Sequence, residues 1–133
     1  MDIYTCLIIM AGGAIGTLSR YLISLWALPI SSELPWGTII INVTGSFIIG
    51  FFGTLTLAAG KYPVSENLRL FIMVGLCGGY TTFSAFSLQT LVLAQAGHWG
   101  RATGYVAASV VLCLLAVLLG HLLASWLNQL RGS

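Results

Sequence analysis

A stretch of ten residues in the middle of this chain places glycines, hydroxyls and aromatic rings inside an otherwise apolar sequence: Gly78-Gly79-Tyr80-Thr81-Thr82-Phe83-Ser84-Ala85-Phe86-Ser87. A helix break in lipid persists only where protein, water or an ion satisfies the freed backbone groups. Hydroxyls and freed amides are hydrogen-bond donors, and a phenylalanine ring has a positive edge as well as a negative face. The stretch therefore predicts a site where a small anion exchanges its water for these donors and ring edges.

Polar side chains at a spacing of four residues accompany the break. They are Thr38, Asn42 and Ser46 in one segment, and Tyr105, Ser109 and Cys113 in another. Residues four apart share a helix face, and an asparagine at membrane depth needs hydrogen-bond partners or a wet path. Such stripes alone are typical of hydrogen bonds between helices. Beside a broken helix, we interpret them as the lining of an ion path.

Other chemistries find little support in the sequence. The carboxylates Asp2, Glu33 and Glu66 lie at a terminus or in loops, whereas proton-coupled exporters usually place one inside the membrane. His121 is the only imidazole within a predicted span, and we interpret it as a packed or interfacial residue. No catalytic triad, metal cluster or phosphate-binding loop is recognisable, so we predict that the chain is not an enzyme. Arg20 fits an anion path and fits snorkelling to the interface equally well.

Composition identifies the elements that must position these residues. The chain has 133 residues, of which 58% are hydrophobic and 6% charged, with a mean hydropathy of +0.99; soluble domains carry about 25% charged residues. This predicts a single all-α integral membrane domain with helices at about 3–28, 36–59, 66–94 and 101–130, the third of them broken. A net charge of +2 predicts no nucleic-acid partner. The three cysteines, which lie far apart in apolar runs, are expected to be packing residues.

Basic residues give only a weak orientation signal. Three basic residues fall on the same side of the membrane as the N-terminus: Lys61, Arg69 and Arg131. Arg101 falls on the opposite side, and Arg20 joins it there if Arg20 lies near the end of its helix. Such a bias could permit insertion both ways up. Four helices without an internal repeat are few for an ion pathway, so we expect oligomerisation, and an antiparallel homodimer would be allowed.

Small residues spaced four apart recur along the chain and are typical of close helix contacts, either between subunits or within one. The pairs are Gly12 with Gly16, Ser46 with Gly50, Gly75 with Gly79, and Gly100 with Gly104.

Taken together, these motifs resemble the Fluc/CrcB family of fluoride channels over nearly the whole chain. The matching residues are Gly12-Gly13-Ala14-Ile15-Gly16 leading to Arg20, Trp36-Gly37-Thr38 with Asn42, the stretch from Gly78 to Ser87, and Tyr105 with Ser109. The stretch from Gly78 to Ser87 is the specific part of this resemblance, since glycine pairs alone would be weak.

The resemblance implies an antiparallel, dual-topology homodimer in the inner cell membrane, surrounded by lipid, with two pores that export fluoride passively from the cytoplasm. It implies that Phe83 and Phe86 of both subunits form a box in the pore. Asn42, Thr82, Ser84, Tyr105 and Ser109 are expected to line the remaining path. It further implies a structural sodium ion at the dimer centre, held by the backbone carbonyls of Gly78 and Thr81 of each subunit.

Two departures from the family pattern stand out. Cys113 replaces a serine of related sequences, and a thiol is a weaker donor than a hydroxyl. Gln89 replaces the glutamate that many members carry at a pore mouth.

The alternative from another class is a small dual-topology exporter of drugs or cations, which the absence of a membrane carboxylate disfavours. A non-transporting scaffold is a third possibility, but it would have no use for the broken helix.

Overall fold

The computed structural model describes residues 1–130 and is all-helical, as predicted. Four helices are long and apolar enough to cross a membrane: Ile3–Trp26 (α1), Trp36–Leu55 (α2), the divided segment Glu66–Gln95, and Trp99–Leu130 (α5). The divided segment consists of α3, residues 66–80, and α4, Phe83–Gln95. Arg131, counted above among the basic residues on the N-terminal side, lies outside the described residues.

Two helices end earlier than their predicted bounds. α1 ends at Trp26 because Ala27 closes it and a 3₁₀ turn, Leu28–Ile30, with proline in its first turn follows. α2 ends at Leu55, where the Thr56 hydroxyl donates to the Phe52 carbonyl at 2.7 Å. The Arg69 guanidinium then donates to the same hydroxyl at 2.6 Å and to the Gly53 carbonyl at 3.1 Å. A cation at a helix C-terminus is favourable, so Arg69 joins the end of α2 to the start of α3.

A π-helix, Leu70–Leu76, occupies the middle of α3 between the α-helical segments Glu66–Arg69 and Cys77–Tyr80. Its end is marked by the Cys77 N–H, which donates to the Ile72 carbonyl five residues back. π-helices are rare and often occur near functional sites. The sequence did not predict this one, because ordinary apolar residues form it.

α1 and α3 pack backbone against backbone through glycines. A Cβ atom added at Gly12 would lie 3.1 Å from the Leu76 nitrogen, and one added at Gly79 would lie 3.0 Å from the Gly13 Cα. Gly16 is equally constrained, because a Cβ atom there would lie 2.8 Å from the Tyr80 nitrogen. Two of the predicted glycine pairs therefore serve contacts within one subunit. Gly100 and Gly104 instead face open space.

The largest packing interface joins α2 to α5, and the interior of the protein lies along it. Gly50 on α2 and Gly120 on α5 allow close approach, since a Cβ atom at either would meet the backbone of the other helix. Ile41 and Tyr105 are the largest fully buried side chains there. α2 is therefore a fixed support for any side chain that it directs towards the break.

The glycine contact between α1 and α3 predicts a selective loss of stability. In Gly16→Ala the added methyl group overlaps the backbone of α3, and overpacking of this kind costs about 1–3 kcal/mol. We expect a lower thermal unfolding midpoint for the detergent-solubilised protein. Gly104→Ala is the matched control, since its methyl group enters open space, and it should unfold at or above the wild-type temperature. Equal midpoints for the two variants would contradict the backbone contact.

Candidate functional site

The helix break consists of two extended residues between α3 and α4. Thr81 has φ −81° and ψ 158°, and Thr82 has φ −152° and ψ 112°. The Thr81 N–H and hydroxyl both donate to the Cys77 carbonyl, at 2.9 and 2.8 Å, and thereby close α3. The Thr82 hydroxyl accepts from the Ala85 N–H at 3.1 Å and caps α4. Each threonine thus completes one of the two helix ends.

Asn42 on α2 pairs with the backbone of the break. Its Nδ2 donates to the Thr82 carbonyl at 3.0 Å, and its Oδ1 accepts from the Thr82 N–H at 2.8 Å. The carboxamide thus serves Thr82 as the N–H and C=O of one residue in a neighbouring antiparallel strand would. Both bonds are partly buried.

The break leaves carbonyl oxygens at the end of α3 without helical partners, and those of Gly78 and Thr81 are two of them. In a continuous helix the Thr82 N–H would donate to the Gly78 carbonyl, and the Ala85 N–H to the Thr81 carbonyl. These donors bond instead to Asn42 and to the Thr82 hydroxyl. Gly78 and Thr81 therefore keep carbonyl oxygens without their helical partners, at the depth where a free acceptor is costly.

Arg20 lies on the α1 side of the same break. Its Nε donates to the Gly79 carbonyl at 3.1 Å, and the Thr17 hydroxyl reaches that oxygen at 3.5 Å. The guanidinium thus satisfies a carbonyl freed at the end of α3, where a positive charge is favourable. Arg20 is not among the residues that line the cavity described next.

A cavity of about 410 Å³ opens beside the break and is lined by α2, α3, α4 and α5. Seven predicted site residues line it: Asn42, Gly78, Thr81, Thr82, Phe83, Phe86 and Ser109. The other lining residues are Gly45, Ser46, Ile49, Met73, Cys77, Val110, Cys113 and Leu114. No lining side chain carries a charge, so the cavity offers an ion only hydroxyl, amide, thiol, thioether, backbone and apolar groups.

Two phenylalanines form one wall of the cavity. The ring centroids of Phe83 and Phe86 lie 5.4 Å apart with the planes tilted by 49°, and Phe83 is 79% exposed. Phe86 also meets the ring of Tyr105, at 5.1 Å and 56°. Tilted rings turn positive edges towards their neighbours. Phe83 therefore stands at the open rim, and Phe86 lies between it and the protein interior.

Ser109 is 7% exposed, and its hydroxyl has no hydrogen-bond partner among residues 1–130. Buried polar groups without a partner are uncommon in native structures and indicate a ligand, a water or a functional role. Ser109 is a residue of the cavity wall, although its Oγ atom is itself covered, so the unpaired hydroxyl is a polar group just behind the wall surface.

Tyr105 and Ser84 lie outside the main cavity, although both were predicted to line the path. Tyr105 is fully buried behind Phe86, and its hydroxyl donates to Gln89 Oε1 at 2.6 Å. Gln89 and Thr38 line a second cavity of about 300 Å³. Tyr105 therefore lies between the two cavities. Ser84 is exposed, and its hydroxyl lies 3.2 Å from that of Thr82.

Several wall residues were not predicted as part of the site. Met73, Cys77 and Ile49 carry no polar signal that distinguishes them from packing residues. Gly45 matters for a steric reason: a Cβ atom there would clash with the Thr81 methyl group and lie 3.2 Å from the Tyr80 ring. Only the three-dimensional structure reveals such a contact.

Comparisons with known proteins agree with this architecture. The model of the family described as "CrcB-like protein, Camphor Resistance (CrcB)" matches residues 7–121. A protein of Gluconobacter oxydans named "Fluoride-specific ion channel FluC" is 67% identical over 129 residues, which cover 96% of this chain and 90% of that protein. A protein of the same name from Methylobacterium radiotolerans is 66% identical over 128 residues, with the same shares. Another from Opitutus terrae is 53% identical over 134 residues, covering all of both chains.

Proposed function

The chain belongs to the CrcB-like family, and from this premise we propose that it is a channel through which fluoride leaves the cytoplasm passively. The family consists of ion channels and not of enzymes. The chain is a multi-pass membrane protein with four helices that can span the bilayer, and we place it in the inner cell membrane.

The uncharged cavity beside the break is the observation that carries this proposal. A small anion loses strongly bound water on entering such a space, and only donors close at hand can compensate. The ring edges of Phe83 and Phe86 are suited to that task, and the unpartnered Ser109 hydroxyl is a further donor within the wall. The absence of a charged lining residue means that no fixed cation holds the ion back.

The proposed fluoride path uses the residues around Phe86. Asn42, Thr82, Phe83, Phe86 and Ser109 form its wall in the main cavity. Tyr105 lies where the path would continue towards the second cavity. Ser84 adds a second hydroxyl next to that of Thr82. Cys113 completes the wall with a thiol. Arg20 contributes a positive potential from behind the break.

We further propose that two copies assemble as an antiparallel, dual-topology homodimer with two such pores. The main cavity is open on one side, and Phe83 stands exposed at its rim. A second copy that supplied its own Phe83 and Phe86 would enclose the ion between rings of both subunits. The near balance of basic residues across the membrane supports opposite orientations of the copies.

The freed carbonyls of Gly78 and Thr81 suit a structural sodium ion at the centre of that dimer. Hard cations prefer oxygen ligands, and unwound membrane helices supply them as backbone carbonyls. No group of three His, Cys, Asp or Glu side chains forms a metal site among residues 1–130. Gly78 has open space where a side chain would stand, so a second copy can approach its backbone. When bound, sodium would neutralise the converging carbonyl dipoles and hold the two breaks together.

Purified protein in liposomes provides the direct test. Fluoride should run down its own gradient, and the current should reverse at the fluoride equilibrium potential, because no carboxylate is present in the cavity to carry a proton. Empty liposomes are the control. A reversal potential that follows an imposed pH or sodium gradient at fixed fluoride would instead favour a coupled exporter. No fluoride flux from assembled protein would refute the proposed function.

Replacing the phenylalanines tests whether fluoride flux depends on their ring edges or only on their size. Phe83→Ile and Phe86→Ile keep apolar volume but remove the positive edge. We expect each to lower fluoride flux by about tenfold, equal to roughly 1.4 kcal/mol in the barrier. Phe51→Ile is the matched control, since Phe51 stacks on Phe47 and is not part of the cavity wall. Unchanged flux in both pore variants, with the dimer intact, would rule out the ring-edge mechanism.

Cysteine labelling tests the dual topology. In a background without Cys6, Cys77 and Cys113, a single cysteine replacing the exposed Pro63 should react with impermeant reagents from both faces of the membrane. His98→Cys, at the opposite ends of the helices, should give the same result. Labelling of each position from one face only, in intact cells, would show a single orientation.

A further inference from the structure

We propose that Asn42 is a positioning residue that couples the anion path to the cation site, because it decides whether α3 ends at Tyr80 or continues through the break. The inference rests on the proposed function for the identity of the two ions. The part that concerns the backbone stands on the structure alone.

Two arrangements compete for the N–H of Thr82. In the observed arrangement this N–H donates to Asn42 Oδ1 at 2.8 Å, while Asn42 Nδ2 holds the Thr82 carbonyl at 3.0 Å. In the competing arrangement the same N–H would donate to the Gly78 carbonyl and continue α3. The first leaves the Gly78 oxygen available as a ligand, and the second removes it.

The cap of α4 depends on the same choice. The Thr82 hydroxyl reaches the Ala85 N–H while Thr82 is extended, with φ −152° and ψ 112°. N-cap residues adopt this β region and not the helical one. Continuation of α3 through Thr82 would therefore remove the cap and turn Phe83, the next residue, away from the cavity wall. One side chain thus holds the cation ligand and the first pore ring in place together.

α2 gives Asn42 the rigidity that this role requires. The helix packs against α5 through the Gly50 and Gly120 contacts, and Ile41, next to Asn42, is fully buried. The carboxamide is thus presented from a fixed support, while the segment that it holds has only two extended residues.

A carboxamide has two N–H groups and two acceptor lone pairs, and the bonds to Thr82 use one of each. A direct fluoride ligand would use the remaining N–H. The two roles predict different results. A fluoride ligand has an effect only when fluoride is present. A positioning residue affects the Thr82 backbone and the cation site even in the absence of fluoride.

Amide hydrogen exchange at the break, measured on the full-length protein in lipid nanodiscs, distinguishes them. In fluoride-free buffer, Asn42→Ala should let α3 continue through Thr82. The N–H groups of Phe83 and Ser84, which begin α4 without helical acceptors, should then gain them and exchange about tenfold more slowly. The same variant should need a higher sodium concentration for half-maximal fluoride flux. Thr54→Val is the matched control, since Thr54 lies on the same helix, has its hydroxyl 2.8 Å from His121 Nδ1 and is not part of the cavity wall; it should change neither the exchange rate nor the sodium dependence.

Asn42→Leu keeps a side chain of similar size and removes both bonds to Thr82, so it should slow exchange at Phe83 and Ser84 and raise the sodium requirement as Asn42→Ala does. This variant also serves if Asn42→Ala fails to assemble, since a folded Asn42→Leu protein with wild-type exchange and wild-type sodium dependence would overturn the proposal. Wild-type exchange and sodium dependence in Asn42→Ala, combined with lost flux, would assign Asn42 as a fluoride ligand only. Failure of the fluoride-channel function would be seen separately, as absent flux in the wild type with exchange still responsive to Asn42.

Discussion

A polypeptide that interrupts its helix within hydrocarbon must find a partner for each backbone group that the interruption releases. This chain provides partners for several of these groups. Asn42 takes the N–H and the carbonyl of Thr82, Arg20 takes the carbonyl of Gly79, and the Thr82 hydroxyl takes the N–H of Ala85. The carbonyls of Gly78 and Thr81 are among those that remain without a helical partner, and they give the break a chemical property: oxygen atoms held at a fixed place.

The rest of the molecule supports this arrangement from two sides. Glycine contacts bring α1 against α3, so that Arg20 reaches Gly79. On the other side, α2 and α5 pack closely and present Asn42 and Ser109 to the cavity. The cavity is therefore bounded by elements whose relative positions are set by backbone contact.

The spans, the helix break and part of the cavity wall could be predicted from the sequence. Hydropathy predicts four spans, and glycines with hydroxyls at positions 78–87 predict the interruption, because such residues are out of place in a lipid-exposed helix. Spacing of four residues predicts a shared helix face for Asn42 with Ser46 and for Ser109 with Cys113, and these four residues lie in the wall of the main cavity. Sequence periodicity, however, contains no information about hydrogen-bond partners. The pairing of Asn42 with a backbone, the bond from Arg20 to Gly79 and the π-helix Leu70–Leu76 all depend on the relative placement of separate helices.

The pairing between Asn42 and Thr82 involves only main-chain atoms of the threonine. Every amino acid except proline carries both of those atoms, so the pairing excludes proline at position 82 and no other residue. The side chain at position 82 has a different role, which is to cap the N-terminus of α4. Serine, aspartate and asparagine can also act as N-caps. Position 82 should therefore accept a small set of short polar residues during sequence divergence. Position 42 has far less freedom, since its side chain must meet both the N–H donor and the C=O acceptor of one residue at a set distance.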